Sequence, residues 1–246
     1  MKEWIYGRNA VYETLRAGRR KVYRLRVADG IQASSQLNIA LEVAREKKIP
    51  VEQVNRRELD GVADGHQGIV LQADEYPYES FSSTLDRSKE SSSQPFFLLL
   101  DTLQDPQNLG TLLRTAEAVG VHGVVLPQRR TATVTPAVVN ASSGASEHLP
   151  IAQHNLAQAI DELKKANVWV IGLDGGEGSQ PVDKVRLDGA LALVVGSEGE
   201  GMRRLVRESC DVLLRLPMLG KIASLNAAVA GSVALYLAWQ ARGYAK

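Results

Sequence analysis

Three stretches hold the residues whose types and spacing could do chemistry. The first is Gly196-Ser197-Glu198-Gly199-Glu200-Gly201-Met202. The second is Leu216-Pro217-Met218 with Ser224-Leu225-Asn226 shortly after it, and the third is Asn108 and Arg114 within residues 101–116. Glycine at 196, 199 and 201 removes side chains, so a ligand can approach the backbone closely. Phosphate is the first ligand to weigh. The loop has no Lys-Ser or Lys-Thr to close a P-loop, however, and Glu198 and Glu200 would repel a pyrophosphate. Its Gly-x-x-Gly-x-Gly order also differs from the dinucleotide fingerprint, which belongs in an early βαβ unit. Acidic neighbours tolerate a ligand carrying positive charge, such as an amine or a sulfonium. A glycine-rich loop serving chain geometry alone is the competing reading. Arg114 stands among Leu112, Leu113, Ala116 and Ala118. An arginine in so apolar a stretch needs a partner, for which Asp101 and Asp105 are candidates, or a catalytic task.

Short buried strands must position these residues. Residues 191–195 and 212–216 are apolar runs of the kind buried on both faces of a parallel sheet. Functional loops follow the carboxyl ends of such strands. Ser224 is placed to cap a helix over 227–239, and that helix, apolar on every side, is expected to be buried. From residue 96 onward strands (96–100, 123–126, 168–173) alternate with helices (108–119, 156–165). The alternation predicts an α/β fold with a mainly parallel sheet and helices on both faces. Ahead of it, a helix over 8–16, strands over 21–27, 49–54 and 68–73, and a helix over 36–47 outline a small α/β domain at 1–75. Residues 76–95, ending Ser91-Ser92-Ser93-Gln94-Pro95, read as a flexible linker, and 96–246 as a second domain.

The 246 residues give ample core for two domains, and 44% hydrophobic with 23% charged content describes an ordinary globular chain. A formal net charge of +1 exerts no global pull toward nucleic acid, so any such binding must be a local patch. Arg19, Arg20, Lys21, Arg24 and Arg26 form the densest basic cluster, which fits either a phosphate-contacting surface or a solvated strand face. Cys210 is the only cysteine, so no internal disulfide can form, which fits a reducing cytoplasm; it reads as a small core residue. No run approaches the length of a membrane span, and the start lacks a signal-peptide core. His66, His122, His148 and His154 lack metal-ligand spacing, so no metal is expected.

Taken together, Asn108-x-Gly110-x-x-x-Arg114-x-Ala116, the 196–202 loop, and Leu216-Pro217-Met218-x-Gly220 with Ser224-Leu225-Asn226 resemble the three motifs of the SpoU group of RNA ribose 2′-O-methyltransferases. The resemblance extends over 96–246. Residues 5–11 and His66-Gln67-Gly68-Ile69 are similar to that group's substrate-binding domain, and the pairing is most like its members acting on a guanosine of large-subunit (23S) ribosomal RNA. The resemblance implies an α/β methyltransferase domain of the SPOUT type with a carboxyl-terminal trefoil knot, S-adenosylmethionine as cofactor, and a homodimer. By motif position it implies that Gly196, Gly201, Leu216, Met218 and Leu225 hold the cofactor, and that Arg114, Asn108, Glu198, Ser224 and Asn226 form the catalytic set. It makes the basic strand, and Arg129-Arg130, expected contacts for ribosomal RNA, with transfer RNA the alternative substrate and a catalytically silent RNA-binding protein the alternative role. The family often continues Val-Ser-Val-Ala after the third motif, where this chain has Ala227-Ala228-Val229-Ala230.

Overall fold

The computed structural model describes residues 1–222 and 224–244, which fall into two compact units, 1–77 with 133–148 and 78–132 with 149–244. Of the expected second domain, Ala223, Ala245 and Lys246 lie outside the described residues.

In the first unit, strands β1 (Lys2–Tyr6), β2 (Val22–Ala28), β3 (Val51–Val54) and β4 (Ile69–Asp74) form a sheet in the order β1-β4-β2-β3, antiparallel except for β2 beside β3. Helices α1 (Arg8–Ala17) and α2 (Ser35–Glu46) bury Ala10, Val11, Leu15, Leu37, Ala40 and Ala44, while α3 (Arg56–Asp60) buries Leu59 beside Val70 and Ala28. Residues 133–148, assigned from sequence to the 96–246 domain, belong to this unit through a short helix and a helical turn. The turn's Glu147 is fully buried and accepts from the Arg20 guanidinium at 2.7 and 2.8 Å; Arg20 also donates to Glu3 at 3.0 Å. Burial works against the Arg20 charge, but its hydrogen bonds to Glu147 and Glu3, with their negative charges, outweigh it and hold its pKa above the ordinary value. Arg20 is therefore an internal tie and is withdrawn from the basic surface expected from sequence. Of the rest of that cluster, Arg24 and Arg26 share Glu52 and lie over the Trp4 ring.

The second unit opens with a helix where the flexible linker was expected, α4 (Phe81–Glu90). Serine-rich composition concealed an apolar pair one turn apart. Phe81 and Leu85 enter the core with Phe97, Leu99, Leu156 and Ile160, and Ser80 caps the helix by accepting the Ser83 N–H. There follow β5 (Phe96–Leu100), α5 (Pro106–Ala118), β6 (Gly123–Leu126), α6 (Pro136–Ala141, the short helix of the first unit), β7 (Ile151–Gln153), α7 (Leu156–Lys165), β8 (Trp169–Leu173), β9 (Gln180–Pro181), β10 (Leu191–Val195), α8 (Arg204–Ser209), β11 (Val212–Arg215) and α9 (Ala227–Ala241). The sheet is wholly parallel, in the order β7-β6-β5-β10-β8-β11-β9. Every residue of β5 and β10 is buried, as a strand covered on both faces requires.

Helix α9 departs from expectation in two ways. Its cap is Asn226, whose Oδ1 accepts from the N–H groups of Ala228 and Val229 at 2.9 and 3.1 Å, rather than Ser224. Nor is it buried all round. Ala227, Ala228, Gly231, Ala234, Leu235 and Ala238 are covered, while Val229, Val233 and Tyr236 are 48%, 41% and 49% exposed. Small residues on the inner face let the helix approach α5 and β10 closely, to the point that a Cβ on Gly231 would meet Leu112 at 2.6 Å. No described helix is long and apolar enough to cross a membrane.

Candidate active site

Parallel register places four strand ends side by side. Val195 of β10 lies opposite Leu100 of β5 and Leu173 of β8, and Leu173 in turn opposite Leu214 of β11. The segments leaving β8, β10 and β11 enclose a cavity of about 780 Å³, a size that suits a small organic ligand. One wall is the 196–202 loop, closed on itself by paired backbone bonds between Ser197 and Gly201 at 3.0 and 3.1 Å. Gly196 is required by close approach, since a Cβ there would lie 2.2 Å from the Gly201 carbonyl carbon. Gly199 and Gly201 hold left-handed backbone, with φ of 85° and 68°. The opposite wall is Leu216, Met218 and the 224–227 turn that feeds α9.

At the rim, three side chains form one network. The Asn226 cap fixes its amide, because Oδ1 is spent on the helix N–H groups and Nδ2 must donate elsewhere. Nδ2 donates to Asn108 Oδ1 at 3.1 Å and to Glu198 Oε1, and Asn108 Nδ2 donates to the same Glu198 oxygen at 2.9 Å. Asn108 is held in turn by the first turn of α5, which Asp105 caps and Pro106 opens. Two amides thus converge on one carboxylate oxygen, Oε1 of Glu198.

The cavity brings together Gly196, Glu198, Gly201, Leu216, Met218, Ser224, Leu225 and Asn226, with Asn108 joined through the rim network. Arg114 is the exception. It is exposed and off the cavity lining, so burial is not the reason it must have a task. Six residues beyond Asn108, it points about 120° around the helix from it. Asp101, one of its expected partners, is wholly buried and engages Arg203, and Asp105 caps α5. Cys210 packs beside the core as expected; burial pushes its thiol up to about 12, which leaves too little thiolate for a nucleophile.

Residues 95–236 match the model of the SpoU rRNA Methylase family, and residues 4–79 match a model described as RNA 2′-O ribose methyltransferase substrate binding. The chain belongs to the SpoU family. Over 244 residues it is 44% identical to YacO of Bacillus subtilis, named for the TrmH family of tRNA/rRNA methyltransferases, and the match covers 98% of this chain and 96% of YacO. The SpoU methyltransferase AviRb of Streptomyces viridochromogenes, solved with AdoMet, superposes with a TM-score of 0.80 at 24% identity, covering 99% of this chain and 92% of AviRb. An AdoMet-bound rRNA methyltransferase of Sinorhizobium meliloti gives 0.78 at 24% identity, covering 97% and 87%. The SpoU methyltransferase fold, with its amino-terminal substrate-binding domain, therefore spans this chain.

The SpoU cavity also recruits residues that the motifs did not single out, namely Asp174, Arg207 and Arg215. Asp174 was visible in the sequence as the polar residue ending a buried strand, but nothing local links it to an arginine 33 positions on.

Proposed function

We propose that this SpoU chain transfers a methyl group from S-adenosylmethionine to the ribose 2′-hydroxyl of a guanosine in large-subunit (23S) ribosomal RNA. The observation that carries the reading is the cavity at the carboxyl ends of the central strands, walled by glycines, apolar side chains and a few charged ones, with the Glu198–Asn108–Asn226 network at its rim. Gly196, Gly201, Leu216, Met218 and Leu225 would hold the cofactor, which supplies an electrophilic methyl on a sulfonium. Leu216, Met218 and Leu225 would favour loss of that charge, and the Glu198 rim would be where the hydroxyl arrives.

The chain's own residues then have two tasks. Glu198, steadied through Oε1 by Asn108 and Asn226, accepts the hydroxyl proton on Oε2, and Ser224 orients the ribose. Arg114 clamps the neighbouring phosphate and stabilises the developing alkoxide; a guanidinium keeps its proton and cannot serve as a base. Because Arg114 is exposed and off the lining, the site is completed by a second copy of the chain, a homodimer in which Arg114 of one copy serves the cavity of the other. The exposed Val229, Val233 and Tyr236 face of α9 supplies apolar surface for that contact. The trefoil knot belongs to the same reading. Its support is that β11 is laid between the earlier strands β8 and β9 and that α9 then returns onto α5 and β10.

Ribosomal RNA is favoured by the substrate-binding unit and by the rRNA methyltransferase among the structural neighbours. With Arg20 withdrawn, Arg19, Lys21, Arg24 and Arg26, and Arg129-Arg130, are the expected phosphate contacts in the cytoplasm. Incubation with methyl-labelled S-adenosylmethionine and unmodified ribosomal or transfer RNA tests the target. Label recovered in 2′-O-methylguanosine of 23S RNA supports it, whereas label confined to transfer RNA overturns it. Gly196→Ala is expected to weaken S-adenosylmethionine binding about a hundredfold, because its Cβ forces the loop backbone into the cavity. Calorimetric titration of the variant reads this directly, and wild-type affinity would remove Gly196 from the binding surface.

A further inference from the structure

Gly196 starts its loop between two carboxylates. Val195 is in register with Leu100 on one side and Leu173 on the other, and the residues that follow those partners are Asp101 and Asp174. Each aspartate is gripped by an arginine of the segment that leaves the loop. Arg203, directly after the loop and capping α8, donates its backbone N–H to Asp101 Oδ2 and its Nε to Oδ1, both at 2.7 Å. Arg207, one turn further, donates Nε to Asp174 Oδ2 at 2.8 Å and a terminal nitrogen to the Glu177 carbonyl at 2.8 Å. Four residues apart, one at the N-cap of α8 and one within it, the two arginines reach the aspartates that follow the two strands flanking β10. Asp101 also ties the entry of the loop, since its N–H donates to the Val195 carbonyl at 2.8 Å.

We propose that Asp101 with Arg203 and Asp174 with Arg207 form a double clamp whose task is to hold the 196–202 loop in its binding shape. The inference rests on the reading of the cavity as the S-adenosylmethionine site. The loop's internal bonds join only Ser197 and Gly201, and its three glycines give it a large conformational entropy when untied. A ligand that had to order such a loop would bind more weakly by that cost, and an external clamp removes it beforehand. Charge supports a built device. Asp101 is wholly buried, and a buried carboxylate with both oxygens bonded to one arginine is strongly held, while removing that arginine leaves it uncompensated. Asp101 and Arg203 are absent from the cavity lining, so their influence on a ligand must pass through the loop. They are positioning residues.

Hydrogen exchange on the free protein, with calorimetric titration of S-adenosylmethionine, tests the clamp. In Arg203→Ala, whose side chain is 48% exposed and whose loss empties no core, the Ser197 and Gly201 amides should exchange about tenfold faster. The β4 amides of the first unit should exchange as before. The cofactor's Kd should rise about tenfold, as should its KM, with kcat at saturation within about twofold. Arg203→Lys should recover part of the loss, since a lysine offers Oδ1 one ammonium where the guanidinium brings both Nε and a terminal nitrogen to it. Asp101→Asn added to Arg203→Ala should cost little more, whereas Arg207→Ala, which also removes a cavity-lining group, should when added to it speed Ser197 and Gly201 exchange in the free protein further. Wild-type exchange at Ser197 and Gly201 in Arg203→Ala would overturn the proposal. Failure of the cofactor reading would show separately, as a wild-type protein that binds no S-adenosylmethionine at all.

Discussion

Arg114→Ala is expected to lower kcat for methyl transfer about a thousandfold while leaving the Kd for S-adenosylmethionine within about twofold. The asymmetry follows from position. Arg114 is absent from the lining of its own chain's cavity, and in the proposed dimer it would reach the reacting hydroxyl and the adjacent phosphate of the other copy's site, not the cofactor. Arg114→Lys should recover little, because a point charge on a flexible stem does not reproduce a planar fork across two oxygens. The dimeric account adds a sharper expectation. Assayed with S-adenosylmethionine near the wild-type Kd, Arg114→Ala and Gly196→Ala should each be nearly inactive alone, while damaging different halves of one composite site. Mixed under conditions that exchange subunits, they should yield heterodimers with one intact site. Activity that returns on mixing supports a shared site. Two variants that stay inactive when mixed, with exchange demonstrated, would place Arg114 in its own subunit's cavity.

The second large effect is on stability. Arg20→Ala should destabilise the first unit by about 3–5 kcal/mol, because it leaves the Glu147 carboxylate buried without its partner. Both side chains of that pair are 0% exposed, so water cannot compensate. Burial already pushes the Glu3 carboxyl up despite Arg20 beside it, so with the guanidinium gone Glu3 gains nothing by staying charged. Replacing both members of the pair, as Arg20→Met with Glu147→Leu, should cost far less than the single change, since only the partly exposed Glu3 then loses a partner. Urea unfolding followed by exchange at the β4 amides separates these outcomes. A loss below about 1 kcal/mol for Arg20→Ala would mean that the pair is not the tie the geometry describes.

Much of the fold was legible because its central strands are short, wholly apolar and bounded by polar residues. Residues 96–100 and 191–195 read directly as β5 and β10, with the second motif at the end of β10, whereas β11, read from its apolar run as buried on both faces, is only partly covered and leaves Arg215 exposed. Helix α4 was hidden because its apolar contribution is only Phe81 and Leu85 among serines and charges. The attachment of 133–148 to the first unit was hidden for a different reason. Its principal tie joins residues 127 positions apart, and neither Arg20 nor Glu147 looks unusual among its neighbours. For Arg114, counting apolar neighbours along the chain misled. Leu112, Leu113 and Ala116 occupy the buried side of α5, and Arg114 occupies the other. The rim was only partly legible. Glu198, Asn108 and Asn226 stood out by motif, but their convergence on one oxygen follows from the Asn226 cap, which fixes the direction of its amide.

Ribose methylation has a chemical signature that base methylation lacks. A 2′-O-methyl group blocks attack on the adjacent phosphodiester, so alkali cannot cut after the modified nucleotide. RNA labelled by this protein from methyl-labelled S-adenosylmethionine should therefore, after complete alkaline hydrolysis, carry its label in an uncut dinucleotide. Label in mononucleotides would place the methyl on a base and contradict the role assigned to the Glu198 rim and to Arg114.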